Sequence, residues 1–486
     1  QVQPCVVLRA GQEGRVDVHV PAGAPVSLRI VGEDGNDHLP WQVDNWNPDR
    51  PIDGRMIGEA TFGIPGNLPL GYHELIVTIG THDADGSAED GGIHTTATST
   101  IIVTPNRVGL PRRMGASRVW GYAAQLYSVR SHHSWGLGDL TDLADLCTWS
   151  ASQGAGYLLT NPLHAAEVAG RMEPSPYLPS SRLFVNPIYI RPELIAEYHD
   201  LDQYDASLIE SLRTTTLDDD PQALLDRDRT WQAKSQALEL IHRVDMSASR
   251  RMAFTAFRVA RGRRLEDFAT WCLLSELHGS DWHDWPAELH DPHGVAVARV
   301  RREHADRIDF HMWLQWIADQ QLSTAQSSGT DAGMPVGLIC DLAVGVNGSG
   351  ADAWMLNGLF AREMNVGAPP DPFNQAGQDW GQPPMRPDVL EQMAYAPLRE
   401  MVSSALRHAG GVRIDHIMGL FRLWWVPRGL GPRHGAYVRY NHEAMVGVVA
   451  LEAYRAGALV IGEDLGTVEP WAVSYTHLTL PTSDLV

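Results

Sequence analysis

The sequence is poor in cysteine and has no long apolar run. Four cysteines occur among 486 residues, Cys5, Cys147, Cys272 and Cys340, and no two of them form a CxxC pair. Their spacings suit neither a zinc site nor a disulfide framework. We therefore expect free thiols in a reducing cytoplasm. No apolar stretch reaches the about 18 residues of a membrane span, so we expect no membrane partner.

Basic residues are also scarce. Lys plus Arg number 38 against 59 Asp plus Glu, which gives a net charge of −21. Such a balance disfavours nucleic acid and anionic membrane surfaces as partners. Hydrophobic residues make up 44% of the chain, enough for a large core. The composition favours a globular protein that binds neutral or cationic ligands, and neutral sugars fit this description.

Residues 1–104 have the pattern of an all-β domain. Short alternating stretches such as "GRVDVHV", "PVSLRIV" and "YHELIVTIG" are separated by clusters of Gly, Pro, Asn and Asp. This arrangement predicts a β-sandwich. Its few aromatic residues favour a packing or spacing role over sugar binding: Trp41, Trp46, Phe62 and Tyr72.

Residues 105–472 change to strands that alternate with helical stretches. The strands "AGYLLTNPL", "VGLICDLAVGVN", "GGVRIDHIMGL" and "GALVIGEDLG" show this alternation. It indicates an α/β fold with a parallel sheet, and a barrel is one form that such a sheet takes. A charged stretch at about 205–303 predicts a helical insertion.

Three of the apolar strands end in a carboxylate, at Asp341, Asp415 and Glu463. In parallel α/β folds the active site lies at the carboxyl ends of the strands, so these acids should converge. The alternative is that each acid caps the next helix or pairs with a basic residue. Three independent caps need not converge, which favours a shared site.

Arg413 lies two residues before Asp415 and therefore on the same face of the strand. A neighbouring guanidinium lowers the pKa of a carboxyl, so we expect Asp415 to be ionised, as a nucleophile must be. Paired carboxyls are the equipment of glycoside chemistry. At about 5 Å apart they give retention of configuration through a covalent intermediate.

The stretch "GAPPDPFNQAGQDWGQPP", residues 367–384, is predicted to be a functional loop. Its Pro, Gly, Asn and Gln content disfavours regular structure, yet it carries Phe373 and Trp380. Sixteen tryptophans occur in the chain. Flat rings stack on sugars, but a single tryptophan is more often a core residue than a ligand contact, because it buries a large area. The tryptophans to which both interpretations apply in the α/β region are Trp135, Trp354, Trp380, Trp424 and Trp425.

These segments resemble glycoside hydrolase family 77, the amylomaltases or 4-alpha-glucanotransferases. "SWGLGDL", "NPLHA" and "EPSPYLPSSRLFVNPIYI" match further family segments in the expected order. The resemblance covers about residues 120–472, and the sandwich resembles the N-terminal extension of longer bacterial members. It implies a (β/α)8 TIM barrel of which about strands 1–5 are present.

The resemblance also implies residue roles. Asp415 would be the nucleophile and Glu463 the general acid/base, with Arg413 orienting Asp415. The other implied substrate-binding residues are His416 in the donor site, Asp341 at its rim, Ser175 and Tyr177 on the donor side, and Asp371, Gln378 and Trp380 in the covering loop. Pro372 stands where many members carry an aromatic residue, which weakens the expected stacking there.

The implied reaction is the transfer of α-1,4-glucan segments between maltooligosaccharides, without metal or cofactor. Maltose, maltooligosaccharides and glycogen-derived dextrins would be the substrates. One alternative is an α-amylase-like hydrolase with the same two carboxylates. Another is a non-catalytic glucan-binding protein made of a sandwich and a degenerate barrel.

The end of the chain departs from the family pattern. "VSYTHLTLPT" is rich in Thr and broken by Pro481 where a helix is expected. It resembles a translated sequencing adapter, so we expect residues 473–486 to be foreign. In the family a third carboxylate follows strand seven. On this interpretation the 486-residue chain lacks that acid and is expected to be inactive and poorly soluble.

Overall fold

The structure is a computed structural model, and it describes residues 1–80, 95–111, 113–115, 118–217, 223–372 and 374–465. The segment expected to be foreign, 473–486, and the loop residue Phe373 lie outside these ranges. Within them, no helix combines the length and the apolar character needed to cross a membrane.

The N-terminal region forms a β-sandwich, as the alternating pattern predicts. Its described strands are β1 (Cys5–Arg9), β2 (Gly14–Pro21), β3 (Val26–Val31), β4 (Asp37–His38), β5 (Trp41–Val43), β6 (Arg50–Ile52), β7 (Arg55–Ile64), β8 (Gly71–Ile79) and β9 (Thr95–Thr104). One sheet has the order β1-β9-β8-β3-β4, and the other has β2-β7-β5 with β6 also paired to β7. Along β2, Val16, Val18 and Val20 are buried in the core while Asp17 and His19 alternate on the outer face.

The second region is built around a parallel sheet. Its described strands are β10 (Gly121–Ala124), β11 (Tyr157–Thr160), β12 (His164–Ala165), β13 (Ser181–Val185), β14 (Gly337–Leu342), β15 (Met364–Ala368), β16 (Gln378–Asp379), β17 (Gly411–Ile414), β18 (Arg422–Pro427), β19 (Ala436–Arg439) and β20 (Leu459–Gly462). The parallel sheet has the order β10-β11-β14-β17-β20. Neighbours in space are thus successive in sequence, as in a (β/α) barrel, whereas an open doubly wound sheet reverses its order.

Helices connect the strands of this sheet. They are α1 (Leu140–Ser152), α2 (Gln203–Thr216), α3 (Arg227–His242), α4 (Ala248–His278), α5 (Val295–Glu303), α6 (Ala305–Asp331), α7 (Ala351–Met355), α8 (Pro387–Gln392), α9 (Ala396–Leu406) and α10 (His442–Ala456). The stretch predicted to be a helical insertion contains most of α2 and all of α3, α4 and α5. Helix α4 bends at Gly262, where φ is 58°. Glycine adopts this conformation without the steric cost that a Cβ would add.

A small antiparallel sheet stands over the carboxyl ends of the parallel strands. Its order is β16-β15-β18-β19. Gly367 pairs with Asp379 and Ala368 with Gln378. The expectation that residues 367–384 disfavour regular structure is therefore wrong at Gly367–Ala368 and at Gln378–Asp379. The reason is tertiary: β18 supplies a template on which β15 forms, and β15 in turn pairs with β16.

The sandwich packs against α9 and α10 of the barrel. The Tyr72 hydroxyl donates to Glu452 Oε1 at 2.8 Å, and Arg455 of α10 pairs with Glu33. The guanidinium of Arg399 lies 4.6 Å from the centre of the Tyr72 ring. Because Cys5 and Ile102 join the barrel's hydrophobic core, the outer face of the sheet containing β1 and β9 is covered.

The chain contains a single lysine, Lys234 on α3, and it is fully buried. Its Nζ donates to the Ile188 carbonyl at 2.6 Å and to the Ile190 carbonyl at 2.9 Å. Burial lowers the pKa of Lys234 to about 8, although the nearby Asp139 carboxylate opposes the shift. The amine thus ties α3 to the segment that follows β13.

We expect Lys234→Met to destabilise the protein by about 3 kcal/mol, because two buried carbonyls lose their charged donor. Urea unfolding of both proteins measures the loss. Arg243→Met, at the exposed end of the same helix, is the control and should unfold close to the parent. Equal midpoints for Lys234→Met and the parent would contradict this role.

Candidate active site

A cleft of about 600 Å³ opens at the carboxyl ends of the parallel strands. This is the position predicted for the site, since those ends meet at one edge of the sheet. Eight of the ten predicted site residues line it: Ser175, Tyr177, Asp371, Gln378, Trp380, Asp415, His416 and Glu463. The remaining two, Arg413 and Asp341, lie behind the lining and contact it through hydrogen bonds.

Strand register places Asp415 and Glu463 side by side. Ile414 of β17 pairs with Gly462 of β20, and each carboxylate follows directly on its paired residue. The Glu463 amide donates to the Ile414 carbonyl at 3.0 Å, which continues the ladder one residue further. Neighbouring strands lie about 4.8 Å apart, so the two carboxyls occupy adjacent positions at the rim.

Arg413 joins two of the acids. Its Nη1 lies 2.7 Å from Asp341 Oδ1 and 2.9 Å from Asp415 Oδ1. The Tyr177 hydroxyl donates to the other Asp341 oxygen at 2.8 Å. Asp341 is only 4% exposed and does not itself line the cleft, while its expected place at the rim of a donor site stays a prediction. Arg413 and Tyr177 cover it, and it acts on the cleft through them.

The pKa of Asp415 is raised from its ordinary value, with burial as the main cause. Arg413 opposes this rise, while the nearby Glu463 carboxylate adds to it. The expectation that Arg413 lowers this pKa overall is wrong, because desolvation outweighs the ion pair. The pKa of Asp341 is raised for the same reason, with Arg413 again opposing.

His416 has a left-handed backbone, with φ at 50° and ψ at 65°. This conformation is uncommon outside glycine and is held only where the surroundings enforce it. It directs the His416 amide at Glu463 Oε2, 2.9 Å away. The Leu465 amide donates to Glu463 Oε1 at 2.8 Å, so both carboxyl oxygens have a backbone donor. Burial lowers the pKa of the His416 imidazole, which favours its neutral form.

The covering loop contributes an aromatic wall. The Trp380 ring meets the His416 ring edge to face at 5.4 Å, and its Nε1 donates to Gln378 Oε1 at 2.8 Å. Asp371 lines the cleft and also accepts the Asn374 amide at 2.6 Å, which holds the loop's turn. Gln382 Nε2 donates to the Tyr177 carbonyl and so connects the loop to the segment that contains Tyr177.

Sequence reasoning missed several residues of the cleft wall. Met418, Arg422 and Tyr437 line it together with Trp424, which was only one of five tryptophan candidates. Of the others, Trp135 and Trp354 are fully buried core residues. No sequence pattern pointed to Tyr437, because β19 reaches the cleft by antiparallel pairing with β18 and is not one of the alternating strands of the parallel sheet.

Comparison with known proteins shows the family to which the chain belongs. Residues 124–479 match the family model of glycoside hydrolase family 77, described as 4-alpha-glucanotransferase. The chain belongs to this family. Residues 1–105 match the model described as the MalQ N-terminal beta sandwich domain, in agreement with the observed sandwich.

Named relatives of this family are similar over most of the chain. The 4-alpha-glucanotransferase of Mycobacterium tuberculosis is 53% identical over 482 residues, which is 97% of this chain and 64% of the relative. That of Haemophilus influenzae is 33% identical over 82% of this chain and 58% of the relative. This chain therefore spans less than two thirds of the length of these relatives.

Solved structures of family 77 agree with the fold. The amylomaltase from Corynebacterium glutamicum superposes with a TM-score of 0.86 at 41% identity, over 98% of this chain and 64% of that one. The amylomaltase from Streptococcus agalactiae, solved in complex with acarbose, gives a TM-score of 0.63 at 19% identity over 74% of this chain and 72% of that one. The second supports the fold alone.

No cluster of three or more His, Cys, Asp or Glu side chains suited to a metal ion occurs among the described residues. Around the paired acids the cleft instead offers carboxylates, a guanidinium and aromatic rings. These groups suit chemistry on a neutral polyhydroxylated ligand.

Removing the Arg413 guanidinium should shift the pH dependence of kcat/KM. Arg413 opposes the rise in the pKa of Asp415, so Arg413→Met should raise that pKa further. If Asp415 must be ionised to react, the acidic limb of kcat/KM moves to higher pH. Lost orientation should also reduce kcat about 100-fold. Arg386→Met, at an exposed ion pair, is the control. An unchanged acidic limb in the Arg413 variant would contradict the role.

Proposed function

We propose that the whole protein is a 4-alpha-glucanotransferase that moves α-1,4-glucan segments between maltooligosaccharides with retention of configuration. The observation that supports this most directly is the placement of Asp415 and Glu463. They directly follow Ile414 and Gly462, which pair with each other on neighbouring parallel strands. Adjacent carboxyls suit a nucleophile and an acid/base catalyst working on one face of a sugar.

In the first step Glu463 protonates the oxygen of the scissile glycosidic bond while an Asp415 oxygen attacks the anomeric carbon. The carbon–oxygen bond to the leaving glucan breaks, and a glycosyl ester to Asp415 forms. In the second step Glu463 takes the proton from the 4-hydroxyl of an acceptor glucan. That oxygen attacks the anomeric carbon and releases the Asp415 carboxylate, so protons and bonds balance over the cycle.

The surrounding residues have supporting roles in this proposal. Arg413 orients Asp415, and Asp341 holds both Arg413 and Tyr177 in place. The imidazole of His416 would contact the donor sugar. The glucan would lie against the cleft residues predicted from the sequence, Ser175, Tyr177, Asp371, Gln378 and Trp380, together with Trp424 and Tyr437.

Maltose, maltooligosaccharides and glycogen-derived dextrins are the proposed substrates. Incubating the whole protein with maltotriose separates the candidate functions. A transferase should yield glucose and longer oligomers with little gain in reducing ends, because each broken bond is replaced by a new one. A steady rise in reducing ends would indicate a hydrolase. Absence of any product would support the non-catalytic alternative.

We also propose a cytoplasmic location. All four cysteines are free in the structure, and three of them are buried. Burial raises the pKa of the Cys5 and Cys147 thiols to about 12, which keeps them protonated and unreactive. Unpaired thiols of this kind are typical of a reducing compartment.

A further inference from the structure

The loop of residues 173–180 brings Ser175 and Tyr177 to the cleft without being part of a helix or strand. Three of its eight residues are proline. Proline lacks a backbone N–H, so this loop has few donors with which to fix its own shape. The Tyr177 hydroxyl nevertheless meets Asp341 at 2.8 Å. The place of the loop must therefore be set by side chains around it.

One such side chain, Glu167, bonds both ends of the loop. Its Oε2 accepts the Glu173 amide at 3.0 Å, and its Oε1 accepts the Ser180 hydroxyl at 3.2 Å. Glu167 is only 6% exposed, and Ser180 is fully buried. Because a single carboxyl group holds the first and the last residue of the loop, it fixes the distance between the two ends.

The same carboxyl group also bonds the segment that follows β14, the strand that carries Asp341. Asn347 Nδ2 donates to Glu167 Oε1 at 3.2 Å. Asn347 Oδ1 accepts the Ser349 amide at 3.0 Å, which fixes the orientation of the Asn347 side chain. The Asn347 amide donates to the Pro179 carbonyl at 2.8 Å. Glu167 thus connects the loop with the part of the chain that leads on from Asp341.

The partners of Glu167 indicate that its role is geometric. Its donors in the described part of the chain are a backbone amide, a hydroxyl and a carboxamide, all of them neutral. Burying a carboxylate without a basic partner costs free energy, so stability alone does not explain this residue. A carboxylate accepts hydrogen bonds at both oxygens, whereas a glutamine side chain accepts at one.

We infer that Glu167 is a positioning residue for glucan binding, which closes loop 173–180 and so sets Tyr177 against Asp341 and in the wall of the cleft. Glu167 does not line the cleft and acts through Tyr177. Arg413 holds Asp341 independently of the loop, so glucan binding should suffer more than the chemical step when Glu167 is changed. The choice of an α-glucan as the ligand rests on the proposed function.

The test compares maltotriose binding between variants of the whole protein by calorimetry. Each variant carries Asp415→Asn for this measurement, so that the glucan is not consumed. Glu167→Gln loses one acceptor and should raise the dissociation constant about 10-fold. Glu452→Gln is the matched control, because Glu452 is 7% exposed and accepts from the Tyr72 hydroxyl at the sandwich. The control should bind maltotriose within about 2-fold of the parent.

A double-variant cycle with Tyr177→Ala separates positioning from a general loss of stability. If Glu167 acts through Tyr177, adding Glu167→Gln to Tyr177→Ala should weaken binding by at most about 2-fold. With Asp415 intact, Glu167→Gln should raise KM for maltotriose about 10-fold and change kcat by less than about 3-fold. An equal loss of binding in both backgrounds, or an unchanged dissociation constant in Glu167→Gln, would overturn the inference.

Asn347→Ala is the milder variant, for the case in which Glu167→Gln fails to fold. It removes one of the three donors, so it should raise the dissociation constant about 3-fold and lose this effect in the Tyr177→Ala background. The same effect in both backgrounds would contradict the inference.

The binding measurements do not depend on turnover, which separates this inference from the proposed function. Coupled losses of maltotriose binding in a protein that transfers no glucan would refute the transferase and leave the role of Glu167 standing. Normal transfer by the parent, with independent effects of Glu167→Gln and Tyr177→Ala on binding, would refute the role of Glu167 alone.

Discussion

Replacing Asp415 with Asn should abolish glucan transfer, with a loss of at least about 10⁴-fold in kcat, because an amide cannot form the glycosyl ester. The fold should tolerate the change. Burial already disfavours the charge of Asp415, as its raised pKa shows, and Arg413 keeps its ion pair with Asp341. Transfer is measured with maltotriose in the whole protein, and the unfolding midpoint is compared with the parent.

Asp379→Asn is the matched control for this variant. Asp379 lies on β16 beside the cleft but is exposed, and its carboxylate accepts from Asn365 Nδ2 and the Gly381 amide. It should retain transfer within a few-fold of the parent. Residual transfer in Asp415→Asn above a tenth of the parent rate would exclude Asp415 as the nucleophile.

Replacing Glu463 with Gln should reduce transfer from maltotriose by about 10² to 10⁴-fold, because the amide neither protonates the leaving oxygen nor activates the acceptor. In the parent, the two carboxyl oxygens of Glu463 accept from the His416 and Leu465 amides. A Gln side chain has one oxygen and can accept at only one of these positions. We therefore expect some loosening of the side chain in addition to the chemical loss.

A glycosyl donor with a good leaving group distinguishes the loss of acid catalysis in Glu463→Gln from a distortion of the site by the substitution. With α-maltosyl fluoride the first step needs no proton, so Glu463→Gln should form the glycosyl ester and stall. Azide, which needs no base, should then restore turnover and give an α-maltosyl azide. Failure of azide to rescue, with the ester detected by mass spectrometry, would argue against Glu463 as the acid/base residue.

The sequence predicted the paired acids well because their positions follow from local pattern. An apolar run that ends in Asp or Glu marks the end of a buried strand, and parallel strands present those ends at one edge. The same pattern also placed Asp341 near these acids, where Arg413 joins it to Asp415. Its burial beneath Tyr177 was not predicted, because Tyr177 comes from a distant connection. The sequence pattern of β14 does not predict the contact between Tyr177 and Asp341.

The pKa of Asp415 shows a second limit of prediction from the sequence. Its neighbour Arg413 is visible in the sequence, whereas the degree of burial depends on every element around the cleft. Burial raises the pKa more strongly than the guanidinium lowers it. Likewise, Lys234 stands in the sequence as one cation on a helix, and only the packing of α3 against the segment after β13 shows that it bonds two carbonyls.

By itself the sequence determined the sandwich, the parallel order of the α/β region and the acids at its strand ends, since strand alternation and buried runs are properties of neighbours along the chain. Only the tertiary structure decided which side chains meet the cleft, which acid lies behind it, and which two carbonyls Lys234 contacts. These depend on contacts between residues far apart in sequence, whose geometry is set by the packing of whole elements.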